Sequence, residues 1–154
     1  MTIDQQHQAI LSGCDQLLAA LRTTSPSDEI GRIRVQLAGL LHANLAAEEI
    51  ELNGPIRRLP PADRPRHFAE MGDEAAYLRN LYSEHVGRWT LRTISTDPEA
   101  YAKATSELVR EVKAHLAKKR ALLPEWRQVA GDQAQSFRPG VLDNGPVSRP
   151  ISPS

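Results

Sequence analysis

The sequence predicts an all-α protein, an antiparallel up-down-up-down four-helix bundle, on three observations. The chain of 154 residues is long enough for one domain with a real core and too short for two comfortable ones. Its composition is abundant in Leu, Ala, Glu and Arg but holds only two Trp, three Tyr and two Phe, a mixture that favours helix over strand. Apolar residues recur at steps of three and four in four successive segments, the spacing that lines one face of a helix.

The first segment runs from about Ile3 to Leu21, with Ile3, His7, Ile10, Leu11, Cys14, Leu17, Leu18 and Leu21 on its stripe. The second opens at Ser25-Pro26-Ser27-Asp28, where Ser can cap, Pro suits the first helical position and Asp28 stands where a capping box wants an acid. Its stripe is Ile30, Ile33, Leu37, Leu40, Leu41, Leu45 and Leu52, and Asn53-Gly54-Pro55 predicts its end. Residues 54–64, with Pro55, Pro60 and Pro61 and with Pro65 just beyond, read as a rigid loop. A third helix follows through Phe68, Met71, Ala75, Leu78, Leu81, Tyr82, His85 and Trp89. The cluster Thr96-Asp97-Pro98-Glu99 opens the fourth, which continues through Leu108, Val112, Leu116, Leu122 and Leu123 to about Trp126. Helices of about 20 to 29 residues, roughly 30 to 44 Å long, need one another to cover such stripes, and the short connections 22–25 and 90–97 suit antiparallel neighbours. The bundle is assigned residues 1–130. Residues 131–154 are rich in Pro, Gly and Ser and have no helical period, so they are expected to form a disordered tail that cannot repay the entropy of ordering.

Nineteen Lys and Arg cancel nineteen Asp and Glu, so no net field favours nucleic acid or an anionic membrane surface. No apolar run approaches the roughly 20 residues of a membrane span, and MTIDQQHQAI has neither a basic nor an apolar targeting region, so a cytoplasmic protein is expected. A single cysteine, Cys14, cannot form an intrachain disulfide. Its place inside a helix stripe predicts an inert thiol, and no Ser or Cys nucleophile stands at a recognisable elbow. Trp89 and Trp126, near helix ends, read as caps of the bundle.

Polar residues on the apolar stripes carry the functional information, because each must be paired, solvated inside or bound to something. His7 lies between Ile3 and Leu11 at helical spacing. Advancing about 100° per residue puts Asn44 and Glu48 near the centre of the second stripe and His42 at its edge. His115 and Lys119 share the fourth stripe, while Glu74 lies to one side of the third. In an up-down-up-down bundle His7 is level with about residue 44, Asn44 with His115, and Glu48 with Lys119, which makes one layer of the core polar.

At these positions the chain resembles the hemerythrin-like (HHE) family over about residues 1–126. The resemblance rests on the early histidine of QQHQAI (His7), on NLAAEEIELNGP in the second helix, on GDEAAYLRNL in the third, and on HLAKKRALLP in the fourth. It implies a four-helix bundle that holds a non-haem di-iron centre and binds or senses oxygen, nitric oxide or iron. His7 and His115 match the family's ligand positions and Glu48 its bridging carboxylate. Asn44, however, stands where a histidine is expected, Lys119 where the second carboxylate is expected, and the third helix offers only Glu74. A protonated ammonium has no lone pair and repels a divalent cation.

The expectation is therefore a hemerythrin-like, non-enzymatic binding or regulatory module with an eroded di-iron site and no cofactor. A core network of Asn44, Glu48 and Lys119 replaces the metal, with Lys119 pairing with Glu48. The alternative is iron or another divalent metal held by His7, Glu48, His115 and Glu74 in an oxygen- or redox-responsive protein. The expected partner is an unidentified protein or a second copy of the chain, with no nucleic acid and no membrane. A phosphorelay role, suggested by the His115-x-x-Lys118 spacing, is disfavoured because His115 lies on the apolar stripe.

Overall fold

The computed structural model describes residues 1–23 and 27–136, and among them every regular element is a helix. Helix α1 spans Ile3–Arg22 and starts at a capping box, in which the Thr2 hydroxyl accepts from the Gln5 amide and the Gln5 side chain accepts from the Thr2 amide. Helix α2 spans Ser27–Glu48; Ser25 and Pro26 of the expected start signal lie outside the described residues. Gly13 sits where α1 and α2 approach closely, and a Cβ there would stand 2.6 Å from a methyl of Leu37.

Asn53-Gly54-Pro55 does not end the second helix as expected. A π-helical turn, Glu49–Asn53, carries the chain into a four-residue helix, α3 (Gly54–Arg57). Gly54 is right-handed (φ −60, ψ −55), and its amide donates five residues back to the Glu49 carbonyl. Proline lacks an amide and its ring crowds the carbonyl four residues earlier, and the wider π turn relieves both problems. The turn needs glycine, because a Cβ on Gly54 would stand 2.8 Å from the Glu49 carbonyl oxygen. The expected rigid loop is thus partly helical, with a further 3-10 turn at Pro61–Asp63. Arg64 pins what remains, donating to the carbonyls of Leu59 and Arg57.

Helix α4 (Phe68–Arg88) follows His67, whose φ of 64° is left-handed. The connection expected at 90–97 contains a short helix, α5 (Leu91–Thr96), capped by the Thr90 hydroxyl, and its Ile94 is buried. Asp97 then caps α6 (Pro98–Ser136) through the Ala100 amide. Helix α6 continues well past the expected end at Trp126 and takes in the first residues, 131–136, of the segment read as a tail; residues 137–154 lie outside the described residues. Pro124 does not stop it because the proline is on the exposed face, where the carbonyl it leaves unbonded meets water. Leu123, Trp126, Ala130 and Gln133 extend the buried stripe at steps of three and four.

Helix α1 packs on α2 and α6, and α4 packs on α6. Among the described residues the core has two apolar clusters. One gathers Ile10, Cys14, Leu17, Ile33, Leu37, Tyr101 and Leu116 among others; Trp89 is part of it, packed 5.5 Å from the Tyr101 ring. The other comprises Ile3, Leu52, Ile56, Met71, Leu123, Trp126 and Ala130, with Trp126 2% exposed against Phe68. Both tryptophans are core residues rather than caps. Among the described residues no helix is long and apolar enough to cross a membrane.

Candidate functional site

Buried polar residues interrupt the apolar stripes between the two clusters on three helices. Along α1 the order is Ile3, then Gln6 and His7, then Ile10. Along α2 and its continuation it is Leu37, then Asn44 and Glu48, then Leu52. Along α6, His115 and Lys119 lie between Val109 and Leu123. The six polar residues are all buried, with Glu48 3% and Lys119 8% exposed.

Glu48 is the centre of this layer. Its Oε1 lies 2.8 Å from Lys119 Nζ, and its Oε2 lies 3.5 Å from His7 Nε2, at the long limit for a hydrogen bond. Burial alone would raise the Glu48 pKa, but the His7 hydrogen bond and the Lys119 charge outweigh it and hold the carboxylate below its ordinary 4.5. Asn44 does not join this pair. Its Nδ2 donates to Gln6 Oε1 at 3.1 Å.

Glu74 and His115 form a second group at the rim, where Glu74 is about one-third exposed. His115 Nδ1 donates to Glu74 Oε1 at 3.1 Å, and Lys118 Nζ donates to Glu74 Oε2 at 3.1 Å. The Lys118 hydrogen bond is the largest influence on Glu74 and lowers its pKa. Burial, then the Lys119 charge, push His115 below its usual 6.5, partly opposed by Glu74, so the imidazole is neutral at pH 7.

The structure thus brings Glu48 and Lys119 together, places His7 beside them, and sends Asn44 to Gln6. His7, Glu48, His115 and Glu74 do not converge on one point: they divide into the pairs His7–Glu48 and His115–Glu74. Among the described residues no group of three or more His, Cys, Asp or Glu side chains could hold a metal ion. The donor set does not fit a di-iron centre, since an ammonium group occupies the central carboxylate and Asn44 is engaged elsewhere.

Two participants were missed by the sequence reading. Gln6 stands three residues after Ile3 and four before Ile10, and that spacing alone puts it on the stripe. Lys118, considered above only for its spacing from His115, reaches Glu74 while 61% exposed. The remaining histidines play other parts. His42 is exposed, His67 pairs with Glu70, and His85 Nε2 lies 3.3 Å from the Thr105 hydroxyl. Cys14 is buried and its thiol is pushed up to about 11, chiefly by burial, which makes it a poor nucleophile.

In comparisons with known proteins, no family model matches the chain, and neither a curated protein nor a solved structure does so.

Proposed function

We propose that the protein is a non-enzymatic binding or regulatory module, built as an antiparallel up-down-up-down four-helix bundle of the hemerythrin-like kind, in which an ion pair stands where that family holds iron. The single observation that carries this reading is the buried contact of 2.8 Å between Glu48 and Lys119. A buried carboxylate requires a compensating cation, and a lysine on a neighbouring helix supplies one permanently. The bundle topology is supported by the order of layers. Along α1 the chain passes from the Trp126 cluster through the polar layer to the Tyr101 cluster, and along α2 and α6 it passes the other way. In α4, Met71 belongs to the Trp126 cluster and precedes Glu74, as in α1. On this reading the protein works in the cytoplasm through a protein partner or a second copy of itself.

Anaerobic reconstitution with ferrous iron tests the proposal. The expected result is substoichiometric iron and no near-ultraviolet charge-transfer bands on admitting oxygen. Two irons per chain with oxygen-dependent bands would overturn it. A single tightly held iron lost on mutating His7 or Glu48 would transfer the assignment to a reduced metal site.

A further inference from the structure

Packing is open between α2 and α4. Met71 is the fully buried residue of α4, while Leu78, Leu81, Tyr82 and His85 are only half-buried. Two cavities occupy this region, of about 340 and 360 Å³, and Ile10, Ala38, Leu41, Tyr82 and Val112 line both. Each is of a size that takes a small ligand, and apolar side chains dominate their walls.

Arg34 lines the first cavity. It is half-buried, with its guanidinium carbon 5.7 Å from the centre of the Tyr101 ring, and among the described residues no carboxylate comes within ion-pairing distance of it. Among the described residues the cation is therefore held against an aromatic face with no paired carboxylate, and a planar carboxylate could take both arms of its fork. The other polar groups of this wall do not compete as ions: burial, and then Arg34, keep His85 below its usual 6.5. The second cavity ends at Asn44, Glu48 and Lys119, where the lysine charge is already taken by Glu48. From Arg34 to Asn44 is ten residues of α2, or about 15 Å of apolar wall. Among the described residues, then, the half-buried cation of the cleft that no carboxylate pairs with is Arg34, while at the other end Lys119 is paired and Arg79, which also lines the second cavity, is exposed to water.

We infer that this cleft binds a linear aliphatic monocarboxylate, with its carboxylate on Arg34 and its chain lying between α2 and α4 toward the Glu48–Lys119 layer. The inference deepens the proposed binding role by naming a ligand class. It can fail separately, because iron reconstitution probes the polar layer and ligand titration probes the cleft.

Calorimetric titration of the full chain with dodecanoate, dodecanol and dodecyltrimethylammonium, each below its aggregation limit, tests the inference. Dodecanoate should bind saturably at one per chain and at least about tenfold tighter than the alcohol, as a hydrogen-bonded charge pair implies, and the ammonium should not bind. Arg34→Gln should bring dodecanoate down to the affinity of the alcohol. Ala38→Trp, which fills both cavities from an exposed backbone position, should abolish binding of both. Equal affinity for all three probes, absence of saturable dodecanoate binding, or full binding by folded Ala38→Trp would overturn the inference. The three-probe series on the unaltered chain decides the matter even if Arg34→Gln fails to fold.

Discussion

Glu48 and Glu74 each hold one lysine and one histidine, yet the two groups differ in nearly everything that sets their energy. Glu48 sits with Lys119 and His7 inside the core, where each partner is less than a tenth exposed. Glu74 sits at the rim between the buried His115 and Lys118, which is mostly in water. The same three functional groups therefore make a demanding interaction in one place and a weak one in the other. A buried pair must be complete, because removing one partner strands the other's charge. A rim pair is screened by solvent and replaced by it when broken.

The largest expected effect follows from stranding Glu48. Lys119→Met should destabilise the fold by about 3 to 5 kcal/mol in denaturant unfolding, and adding Glu48→Gln should recover part of that loss. A loss below about 1 kcal/mol would place the inner pair in the same class as the rim pair. Next in size is Asn44→Ala, which leaves the buried Gln6 carbonyl oxygen without its donor and should cost about 1 to 3 kcal/mol.

Acidification should act on the histidines before the carboxylates of either group. His115 has a folded pKa below 6.5, so the unfolded chain takes up a proton first and stability should begin to fall as pH drops through about 6.5. His85 adds to that slope in the same direction. Glu48 and Glu74 have folded pKa values below 4.5; their contribution is complete above that value and is lost as pH falls through the folded values. Unfolding midpoints measured from pH 8 to 3 should therefore fall in two stages, and His115→Gln should flatten the first while leaving the second. The smallest effect is expected at the rim itself, where Lys118→Met should cost no more than about 1 kcal/mol.

Much of the fold was legible because it depends on local chemistry. Stripe periodicity located the helices, and Asp97-Pro98 marked the start of α6 at the right place. The errors came where a local stop signal met a larger packing demand. Asn53-Gly54-Pro55 read as the end of the second helix and Trp126 as about the end of the fourth, but Leu52 and Ile56 on one side, and Trp126 and Ala130 on the other, had apolar surface to bury. A π turn and an exposed proline face were cheaper than leaving that surface in water. The contact between Glu48 and Lys119 joins two residues that the stripe spacing alone puts on the buried faces of their helices. The partners of Asn44 and Glu74 were not legible, because Gln6 and Lys118 reach them through flexible side chains whose direction the spacing does not determine. Arg34 was open to the same reasoning that singled out His7: it lies four residues after Ile30 and three before Leu37, at the edge of the second stripe.

A double-mutant cycle on Glu48→Gln and Lys119→Met, read as unfolding free energy at pH 7, tests the central claim most directly. If the ion pair is what holds the polar layer together, the two substitutions should be strongly non-additive, with a coupling energy of about 2 kcal/mol or more. Additivity within about 0.5 kcal/mol would mean that Glu48 and Lys119 do not depend on each other, and would contradict the account.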